Sequence, residues 1–525
     1  MNIKKSGLFC MTTACCVFLA LTIACMAGCK KSSSTQDDSD GHVDSDVDDP
    51  DAGPPVDSST QDPVDGSVVD PEPSGRIDYD ESEYDSYVDT SLHYRFPLDE
   101  DGWAVIEPGQ NHKTIYVSET GDDNNDGLSP DSPIATLSEA RSRIQEGSSD
   151  WILLKRGDRF PGERFREELN GESPEHPVLI GSYGEGPRPV MEGALRLWAT
   201  HSNVVVRDLH VEYVGKYCLD VLGTIENLFF ENVVTEGCES RIQGSDDNMH
   251  VGVTLRRTMI LDAHQAAPVN DAENWMDAHA NRISGIYIAG TAGLLIDECY
   301  ADFNGWRNGY DEDGGAGPHP PSMFSHNFYI QSNNTHVIYR GTISSRGAST
   351  GAQIRPGGVV QQNVFFANNV QFFTGGDHPS LVTDNAVTIA GNKRAHQIGA
   401  LGWGYSAQDV QDTLVRRLMV FHSTDPLDPS PPNDAANSAI HNAAEATVED
   451  LVVYKWGSSA DQPEGWNPSE DPDGISIIAY ATNSEIGASN LDEFDQILRS
   501  RDRGWWPYKL SGPAIVEYFQ EVFTP

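Results

Sequence analysis

The chain has 525 residues, with 80 aspartates and glutamates against 35 lysines and arginines, and its formal net charge is −45. This acidity argues against a nucleic-acid-binding surface as the main function. Glycine and proline, at 48 and 31 residues, are too few for collagen or for a wholly disordered chain. A bundle of transmembrane helices is also excluded, because the sequence has a single uncharged apolar stretch, residues 6–29.

Residues 1–28 have the features of an export signal. Two lysines precede an apolar run from Leu8 to Ala24, which is the order found in secretory signal peptides. The Met-Ala-Gly-Cys that follows at 26–29 resembles the bacterial lipobox, whose cysteine is acylated and becomes the mature N-terminus. We therefore expect lipidation at Cys29. The alternative is an uncleaved anchor helix, since the stretch is nearly long enough to span a bilayer.

The residues after Cys29 bear on where the protein is displayed. Lys30, in place of an aspartate, resembles the pattern that sorts lipoproteins to the outer membrane, so we expect an exported and surface-exposed outer membrane lipoprotein. Residues 29–75 are dense in aspartate, and from Gln36 onward they contain no lysine or arginine. Such a segment cannot bury enough apolar surface to fold, and its like charges extend it. We predict a disordered tether.

Three of the eight cysteines lie beyond the signal segment, Cys218, Cys238 and Cys299. An odd number does not imply a disulfide framework, and their spacing matches no zinc site. We therefore expect three buried thiols.

The folded body is predicted to begin near residue 115, while residues 76–114 have no clear assignment. A strand at 115–118 leads through a polar turn into an amphipathic helix, and a buried strand follows at 151–154. This run resembles the N-terminal entry of secreted right-handed parallel β-helix proteins, the pectin-lyase-like group that includes many polysaccharide lyases. The turn at 122–127 imitates half of a calcium loop, but Pro133 stands where glutamate is required, which indicates a structural turn.

A repeat of strands supports the same fold. Successive coils of a solenoid recur at a fixed period, interrupted here by two insertions. One set of strands is predicted to begin at Val204, Leu228, Val251, Leu294, Val337 and Val360. A second set is predicted to stack Leu219, Ile242, Ile286, Phe328 and Ala352 in one inward column and Val221, Gly244, Ile288, Ile330 and Ile354 in the next.

The later chain completes the predicted architecture. Strands are expected within 385–391, 416–421 and 446–456, and a helix is expected to start at Asn490 with Glu493. Because a solenoid must cover its open ends, we interpret the helical C-terminal segment as a cap. The predicted fold is all-β, a right-handed parallel β-helix over 115–525 with an N-terminal helix cap and a C-terminal helical cap.

Residues that alternate with the inward columns must face out. One predicted outward column is Asp220, Gln243, Tyr287, Tyr329 and Gln353, and the other is Leu222, Ser245, Ala289, Gln331 and Arg355. This polar and aromatic stripe predicts a groove for a sugar chain, with an ordinary solvated face as the alternative. Insertions near 263–284 and 304–325 should rise along one edge of it. Their Trp275 and Trp306 are expected to stack on sugars, or else to pin their own loops.

The chemistry that this stripe suggests is β-elimination on a uronate-containing polysaccharide. That reaction needs a neutraliser for the C5 carboxylate, a base for the C5 proton and an acid for the leaving oxygen. We assign these roles to Tyr329, Arg355, Arg346 and His326. Tyr287, Gln331 and Gln353, together with the two tryptophans, are the predicted substrate-binding residues. The resemblance to β-helix lyases implies a basic proton acceptor, often with calcium, but this groove offers arginine and no lysine.

Two other interpretations stay open. Asp246 and Asp247 resemble the paired acids of β-helix glycoside hydrolases, and Gly376-Asp377-His378 extends the same region; either motif is otherwise a turn.

The protein is alternatively a non-catalytic glycan-binding or adhesive surface protein. No cofactor is assigned, although calcium remains a candidate, and no metal ligand set is evident. The expected partners are a polysaccharide and, through the lipid, a membrane; we expect no nucleic acid and a monomer.

Overall fold

A computed structural model describes the chain over residues 75–161, 164–165, 168–213, 215–264, 282–306, 324–376, 378–390, 402–408, 410–427, 438–442, 445–456 and 475–523. The predicted signal, Cys29 and the tether up to residue 74 lie outside the described residues, as do Trp275, Asp377 and most of both insertions.

The secondary structure is dominated by short strands. In chain order the strands are β1 Thr114–Val117, β2 Trp151–Lys155, β3 Arg159–Pro161, β4 Arg164–Phe165, β5 Leu169–Asn170, β6 Val178–Tyr183, β7 Val190–Glu192, β8 Leu195–Leu197, β9 His201–Arg207, β10 His210–Glu212, β11 Tyr217–Leu222, β12 Ile225–Glu231, β13 Val234–Glu236, β14 Glu239–Gln243, β15 His250–Arg256, β16 Met259–Leu261, β17 Ile286–Ala289, β18 Thr291–Asp297, β19 Tyr300–Asp302, β20 Phe328–Ile330, β21 Thr335–Arg340, β22 Ile343–Ser345, β23 Thr350–Ile354, β24 Gly358–Gln361, β25 Val364–Phe366, β26 Val370–Gly375, β27 Ser380–Thr383, β28 Ala386–Thr388, β29 Trp403–Gln408, β30 Thr413–Arg416, β31 Met419–Phe421, β32 Ile440–His441, β33 Ala446–Glu449 and β34 Val452–Tyr454. The helices are α1 Leu137–Arg143, α2 Ile477–Ala481, α3 Leu491–Arg499 and α4 Gly512–Phe523, with 3₁₀ turns at Tyr84–Ser86, Thr90–Leu92 and Tyr508–Leu510.

These strands form three parallel sheets. Sheet A has the order β1-β2-β6-β9-β12-β15-β18-β21-β24-β27-β30-β33, with β5 also paired to β9. Sheet B has the order β3-β7-β10-β13-β16-β19-β22-β25-β28-β31-β34, and sheet C has the order β4-β8-β11-β14-β17-β20-β23-β26-β29-β32. Each regular coil contributes one strand to each sheet in turn, as in β9, β10 and β11. The predicted right-handed parallel β-helix is confirmed.

The core lies inside the coils, where apolar side chains of successive strands stack on one another. The predicted inward column is right for Ile286, Phe328 and Ala352, which are direct cross-strand partners. It is wrong for the earlier coils, because Ile242 pairs with Val221 on one side and with Ile288 on the other. The cause is the position of β14, whose residues lie two places earlier than the constant coil spacing assumed, so that Ser240 and not Ile242 pairs with Ile286. The slip is two residues, so these side chains still face inward.

A similar slip affects two predicted strand starts in sheet A. Leu228 pairs with Val253 rather than Val251, whose side chain is 36% exposed. Val360 pairs with Tyr339, so it is not the partner of Val337. Single residues in a left-handed conformation interrupt the sheet A strands near their starts, such as Asn227 with φ 63° and Gly252 with φ 67°. Constant spacing along the sequence does not reveal such irregularities.

Sharp corners separate the sheets, and one residue per corner adopts the left-handed conformation. Between sheets A and B these residues include Asp208, Asn232, Arg257, Glu298, Gln362 and Asp384. Between sheets B and C they include Asp262, Phe303, Arg346, Ala367 and His422. Most of them are not glycine, so the corner is held by stacking of equivalent turns, which offsets the cost of this conformation.

The segment before the solenoid, unassigned from the sequence, packs across the outer face of sheet A. Tyr84 and Val88 contact Leu295 and Ile338, while Tyr94 and Ile106 contact Val205 and Phe229; all of these side chains are buried. The helix predicted after the polar turn is α1, capped by Thr136, whose side chain accepts from the Glu139 N–H.

The C-terminal helical cap is also present, and it packs along the outward face of sheet B. Phe494, Ile515 and Phe519 share a buried cluster with Tyr300 and Phe421. The predicted start of α3 is confirmed, because the Asn490 side chain accepts from the Glu493 N–H at 2.9 Å.

The expectation of three thiols is wrong for two of them. Cys218 and Cys238 form a disulfide between adjacent coils, with Cα atoms 5.4 Å apart, while Cys299 is a free, buried thiol. An odd count excludes only a framework that uses every cysteine, and two positions one coil apart come close enough to pair. Within the residues described above, no helix is both long enough and apolar enough to cross a membrane.

Candidate functional site

The outward face of sheet C carries the candidate site. Because the sheet is parallel and in register, equivalent outward side chains form columns along the solenoid axis. The first column is Arg196, Asp220, Arg241, Tyr287, Tyr329, Gln353 and Phe373. The prediction placed Gln243 in this column, but Arg241 occupies that place, paired with Asp220 on one side and with Tyr287 on the other. Gln243 instead lies between Leu222 and Ala289, and Ala289 is buried rather than outward in solvent.

The predicted neighbours in the middle of this face are confirmed. Tyr329 pairs with Gln353, and Arg355 follows directly after the Ile330–Ile354 pair. The Tyr329 hydroxyl accepts a hydrogen bond from Arg355 Nη1 at 3.2 Å. Both side chains are half-buried. Arg355 makes no ion pair with any residue that the structure describes.

Tyr287 stands one coil before Tyr329 on the same column. The two rings meet edge to face with centroids 5.3 Å apart. Burial raises the pKa of Tyr287, the neighbouring Tyr329 raises it further, and a hydrogen bond with Gln331 opposes that shift. Tyr287, Gln331, Gln353 and Tyr329 are therefore brought together as predicted for a substrate-binding surface.

His326 lies beneath this surface. Its side chain is 3% exposed, and its ring centroid is 5.1 Å from that of Tyr329. Its Nδ1 accepts from the Thr350 N–H at 3.4 Å. Burial lowers the pKa of His326 to about 3, with Arg282 and Arg355 acting in the same direction. The neutral ring therefore carries its hydrogen on Nε2, and it packs edge to face against the Tyr329 ring.

Arg346 is not brought to the sheet C face. It sits at the corner after β22, and its guanidinium pairs with Asp302, with Asp495 at 3.0 Å and with Asp492 at 3.0 Å. These carboxylates belong to sheet B and to α3. Arg346 therefore ties α3 to the solenoid. Its place in the sequence, one coil beyond His326, does not reveal this contact.

Trp306 is fully buried. Its indole N–H donates to the Arg346 carbonyl oxygen at 2.7 Å, and its ring stacks on Phe303 with centroids 5.8 Å apart. It pins a corner of its own coil, as in the alternative interpretation, and it is not available to a sugar. Trp275, the other predicted stacking residue, lies outside the described residues.

The sequence prediction missed four charged residues at the edge of this face: Lys216, Glu239, Arg241 and Arg282. Glu239 is half-buried and accepts from the Ser284 N–H at 3.1 Å. Burial raises the pKa of Glu239 to about 7, against the lowering effects of that hydrogen bond and of Lys216, Arg241 and Arg282. The correct register would have revealed Glu239 and Arg241, because both alternate with the inward Ser240 and Ile242. The face is thus locally basic on a strongly acidic chain.

Of the two remaining motifs, Asp246-Asp247 forms a turn. Asp246 accepts from Asn333 Nδ2 at 2.9 Å, and both it and Asp247 lie exposed within the tight turn between Ser245 and Asn248. Gly376 has φ 106°, a conformation that favours glycine, and the exposed His378 follows it. In the part of the chain that the structure describes, no group of three or more histidine, cysteine, aspartate or glutamate side chains is arranged to hold a metal ion.

Comparison with known proteins finds similarity at the level of solved structures. No family model and no curated protein sequence matches the chain. A rhamnogalacturonan lyase is 14% identical with a TM-score of 0.39, over 67% of this chain and 89% of that one. A pectate lyase is 14% identical with a TM-score of 0.31, over 68% and 74%. A lacto-N-biosidase from Eubacterium ramulus is 14% identical with a TM-score of 0.30, over 64% and 68%. At these identities the likeness concerns the fold alone.

Proposed function

We propose that this β-helix acts on a uronate-containing polysaccharide and cleaves it by β-elimination at the Tyr329–Arg355 pair. The observation that carries the proposal is the hydrogen bond between these residues on an outward, partly solvent-exposed column of aromatic and amide side chains. The sheet C face also concentrates basic side chains on a molecule of net charge −45. Such a face is suited to a polyanionic chain.

The two residues divide the reaction between them. In β-elimination the C5 proton is removed, a C4–C5 double bond forms, and the bond from C4 to the glycosidic oxygen breaks. The leaving oxygen then takes up a proton, so the reaction needs no co-reactant. One Arg355 N–H is used on Tyr329, and the other N–H groups of its planar guanidinium can bind the C5 carboxylate in bidentate fashion. That contact neutralises the carboxylate and makes the C5 proton more acidic.

Tyr329 is the proposed proton-transfer residue. Tyr329 reacts as the phenolate, with the Arg355 N–H donating to its oxygen, and that oxygen accepts the C5 proton. The same oxygen can then return a proton to the leaving group. His326 and Tyr287 hold the ring from below and from the side, and Gln331 and Gln353 offer amide groups to sugar hydroxyls. Holding reacting groups in a fixed geometry lowers the barrier.

An assay of the full chain on a panel of neutral and acidic polysaccharides tests the proposal. Formation of unsaturated uronides, followed by ultraviolet absorbance, is expected only with uronate-containing chains. New reducing ends without that absorbance would instead indicate hydrolysis. Binding without any cleavage would leave the adhesive alternative. Addition of a chelator in a parallel series shows whether calcium takes part.

We also propose that the protein is an exported lipoprotein, anchored through Cys29 and held off the membrane by the acidic segment at 29–75. The lipobox-like residues 26–29 and the composition of the tether support this proposal. Cys29→Ala should abolish labelling by a fatty-acid analogue and block normal maturation. Unchanged labelling would contradict it. Protease treatment of intact cells tests surface display.

A further inference from the structure

A second cluster of side chains lies on the same face, toward the N-terminal end of the solenoid. Trp198 directly follows β8, is 38% exposed, and stands level with Leu222, which follows the Leu197–Val221 pair on β11. Its indole N–H donates to Asp220 Oδ2 at 2.9 Å. A large, partly exposed aromatic ring is therefore held in one orientation on the groove face.

Asp220 organises this cluster. Its side chain is 2% exposed, and besides Trp198 it accepts from Arg241 through Nε at 2.8 Å and Nη2 at 2.6 Å. Arg196 approaches the same carboxylate at 3.8 Å and lies 5.6 Å from the Trp198 ring centroid. A buried carboxylate that fixes an exposed indole and two arginines forms a pre-organised surface, so little ordering remains to be done on binding.

The adjoining part of the cluster is basic and aromatic. The Tyr217 ring lies 4.0 Å from the Arg241 guanidinium carbon and 4.9 Å from Lys216 Nζ. Lys216 is exposed, and its ammonium and the Arg241 guanidinium both act on the nearby Glu239 carboxyl, as does Arg282. This arrangement places positive charge beside an aromatic platform, which is complementary to a sugar ring that carries a carboxylate.

The spacing along the axis relates this cluster to the Tyr329–Arg355 pair. Sheet C runs from β8 through β11, β14 and β17 to β20, four steps between Trp198 and Tyr329. At about 4.8 Å per step the two sites are about 19 Å apart. Each sugar of a polysaccharide advances the chain by about as much as one such step. One chain lying along the column would therefore reach both sites.

We propose that Trp198, Tyr217, Lys216 and Arg241 form a distal subsite that binds an acidic sugar of the same polysaccharide chain whose bond is cleaved at Tyr329. The indole of Trp198 stacks on the apolar face of the sugar, and Lys216 and Arg241 bind the carboxylate of that sugar. This inference rests on the proposed function for its occupant, and it makes the protein selective for long polyuronates. Short oligouronides reach only one of the two sites.

The test compares variants of the full chain on polygalacturonate, on alginate and on di- and trisaccharide uronides. On whichever polyuronate the parent cleaves, Trp198→Ala should raise KM by about tenfold, as expected for the loss of one aromatic contact. It should leave kcat, and the kinetics on the short uronides, unchanged. Trp198→Phe keeps a ring and should stay near the parent value. Tyr508→Ala is the matched control, since Tyr508 is 37% exposed on a 3₁₀ turn outside sheet C.

Lys216→Ala covers the case in which Trp198→Ala fails to fold, because removing an exposed lysine leaves the core intact. It should raise KM for the polymer and weaken the dependence of KM on salt. An unchanged polymer KM in both variants would overturn the subsite while leaving the cleavage site in place.

The proposed reaction and the subsite can fail separately. If the parent cleaves no polyuronate, retention in a gel that contains the polymer still tests the subsite. Loss of retention in Trp198→Ala, with retention kept in Tyr508→Ala, would then support the subsite and count against the reaction alone. A parent protein that the polymer does not retain would overturn the subsite as well.

Discussion

Arg355 and Tyr329 lie on adjacent coils, and the guanidinium of one donates to the hydroxyl of the other at 3.2 Å. The contact is set by the backbone, because Ile330 pairs with Ile354 and the Arg355 N–H donates to the Ile330 carbonyl oxygen at 3.0 Å. Two side chains on a rigid ladder keep a fixed relative position, as a reacting pair needs.

Replacing Arg355 by alanine separates a role in the chemistry of this pair from a role in holding the coil together. We expect turnover to fall by roughly 10²-fold or more, because one charge-stabilising donor in an active site commonly contributes that much. Thermal stability should change by less than about 0.5 kcal/mol, since the side chain is partly exposed and outside the core. Initial rates of unsaturated uronide formation and a thermal melt measure both. Arg159→Ala, an exposed arginine on sheet B, serves as the control and should leave turnover unchanged.

Tyr329→Phe keeps the aromatic ring and removes only the hydroxyl. If that oxygen moves the proton, kcat should fall by roughly 10²–10⁴-fold while KM changes little. Tyr287→Phe alters a neighbouring hydroxyl on the same column and should mainly change KM. A normal kcat in Tyr329→Phe would place the reaction elsewhere, and Asp246 with Asp247 would become the next pair to replace.

The solenoid could be predicted from the sequence because its inward positions repeat with a period of two within strands and a near-constant period between coils. The same regularity placed Tyr329 beside Gln353 correctly. What it could not supply was the two-residue offset of β14 from the constant coil spacing, which exchanges Gln243 for Arg241 on the groove face. That single offset hid Arg241 and Glu239.

The wrong predictions for Trp306 and Arg346 have a different cause. Trp306 and Arg346 are residue types common in binding sites, but which way a side chain leaves a corner depends on contacts that are distant in sequence. Arg346 turns toward Asp302 and Asp495 because α3 brings a carboxylate there from about 150 positions downstream. His326 was correctly placed near Tyr329, although its position beneath the face, at 3% exposure, could not be read from the sequence.

The core prediction concerns Ile330, which is fully buried between Ile288 and Ile354 in the inward column. Ile330→Ala should lower the free energy of unfolding by roughly 2–5 kcal/mol, the usual cost of such a cavity. Denaturant unfolding of the full chain measures it. Val251→Ala truncates a side chain that is 36% exposed and should cost less than about 0.5 kcal/mol. Equal effects of the two changes would contradict the stacked column.

Glu239 gives the pH dependence that most directly tests the electrostatics of the groove. Burial raises its pKa from 4.5 to about 7, so between these values the folded chain holds a proton that the unfolded chain has released. Stability must therefore fall as pH rises through this window, and above about pH 7 the buried carboxylate is charged in both states. In Glu239→Gln this loss is absent, so the variant should gain stability relative to the parent as pH rises from 4.5 to 7.

The matched control for Glu239 is Glu236, three positions earlier, whose pKa is lowered by its hydrogen bond with His210. A lowered carboxyl pKa contributes stability that is present above the unfolded value and is lost as pH falls, so Glu236→Gln should show the opposite slope. Thermal melts of the parent and both variants at a series of pH values measure the two slopes. Parallel curves for Glu239→Gln and the parent would mean that the Glu239 carboxyl is solvated and titrates normally. In that case Lys216, Arg241 and Arg282 would border an ordinary surface carboxylate.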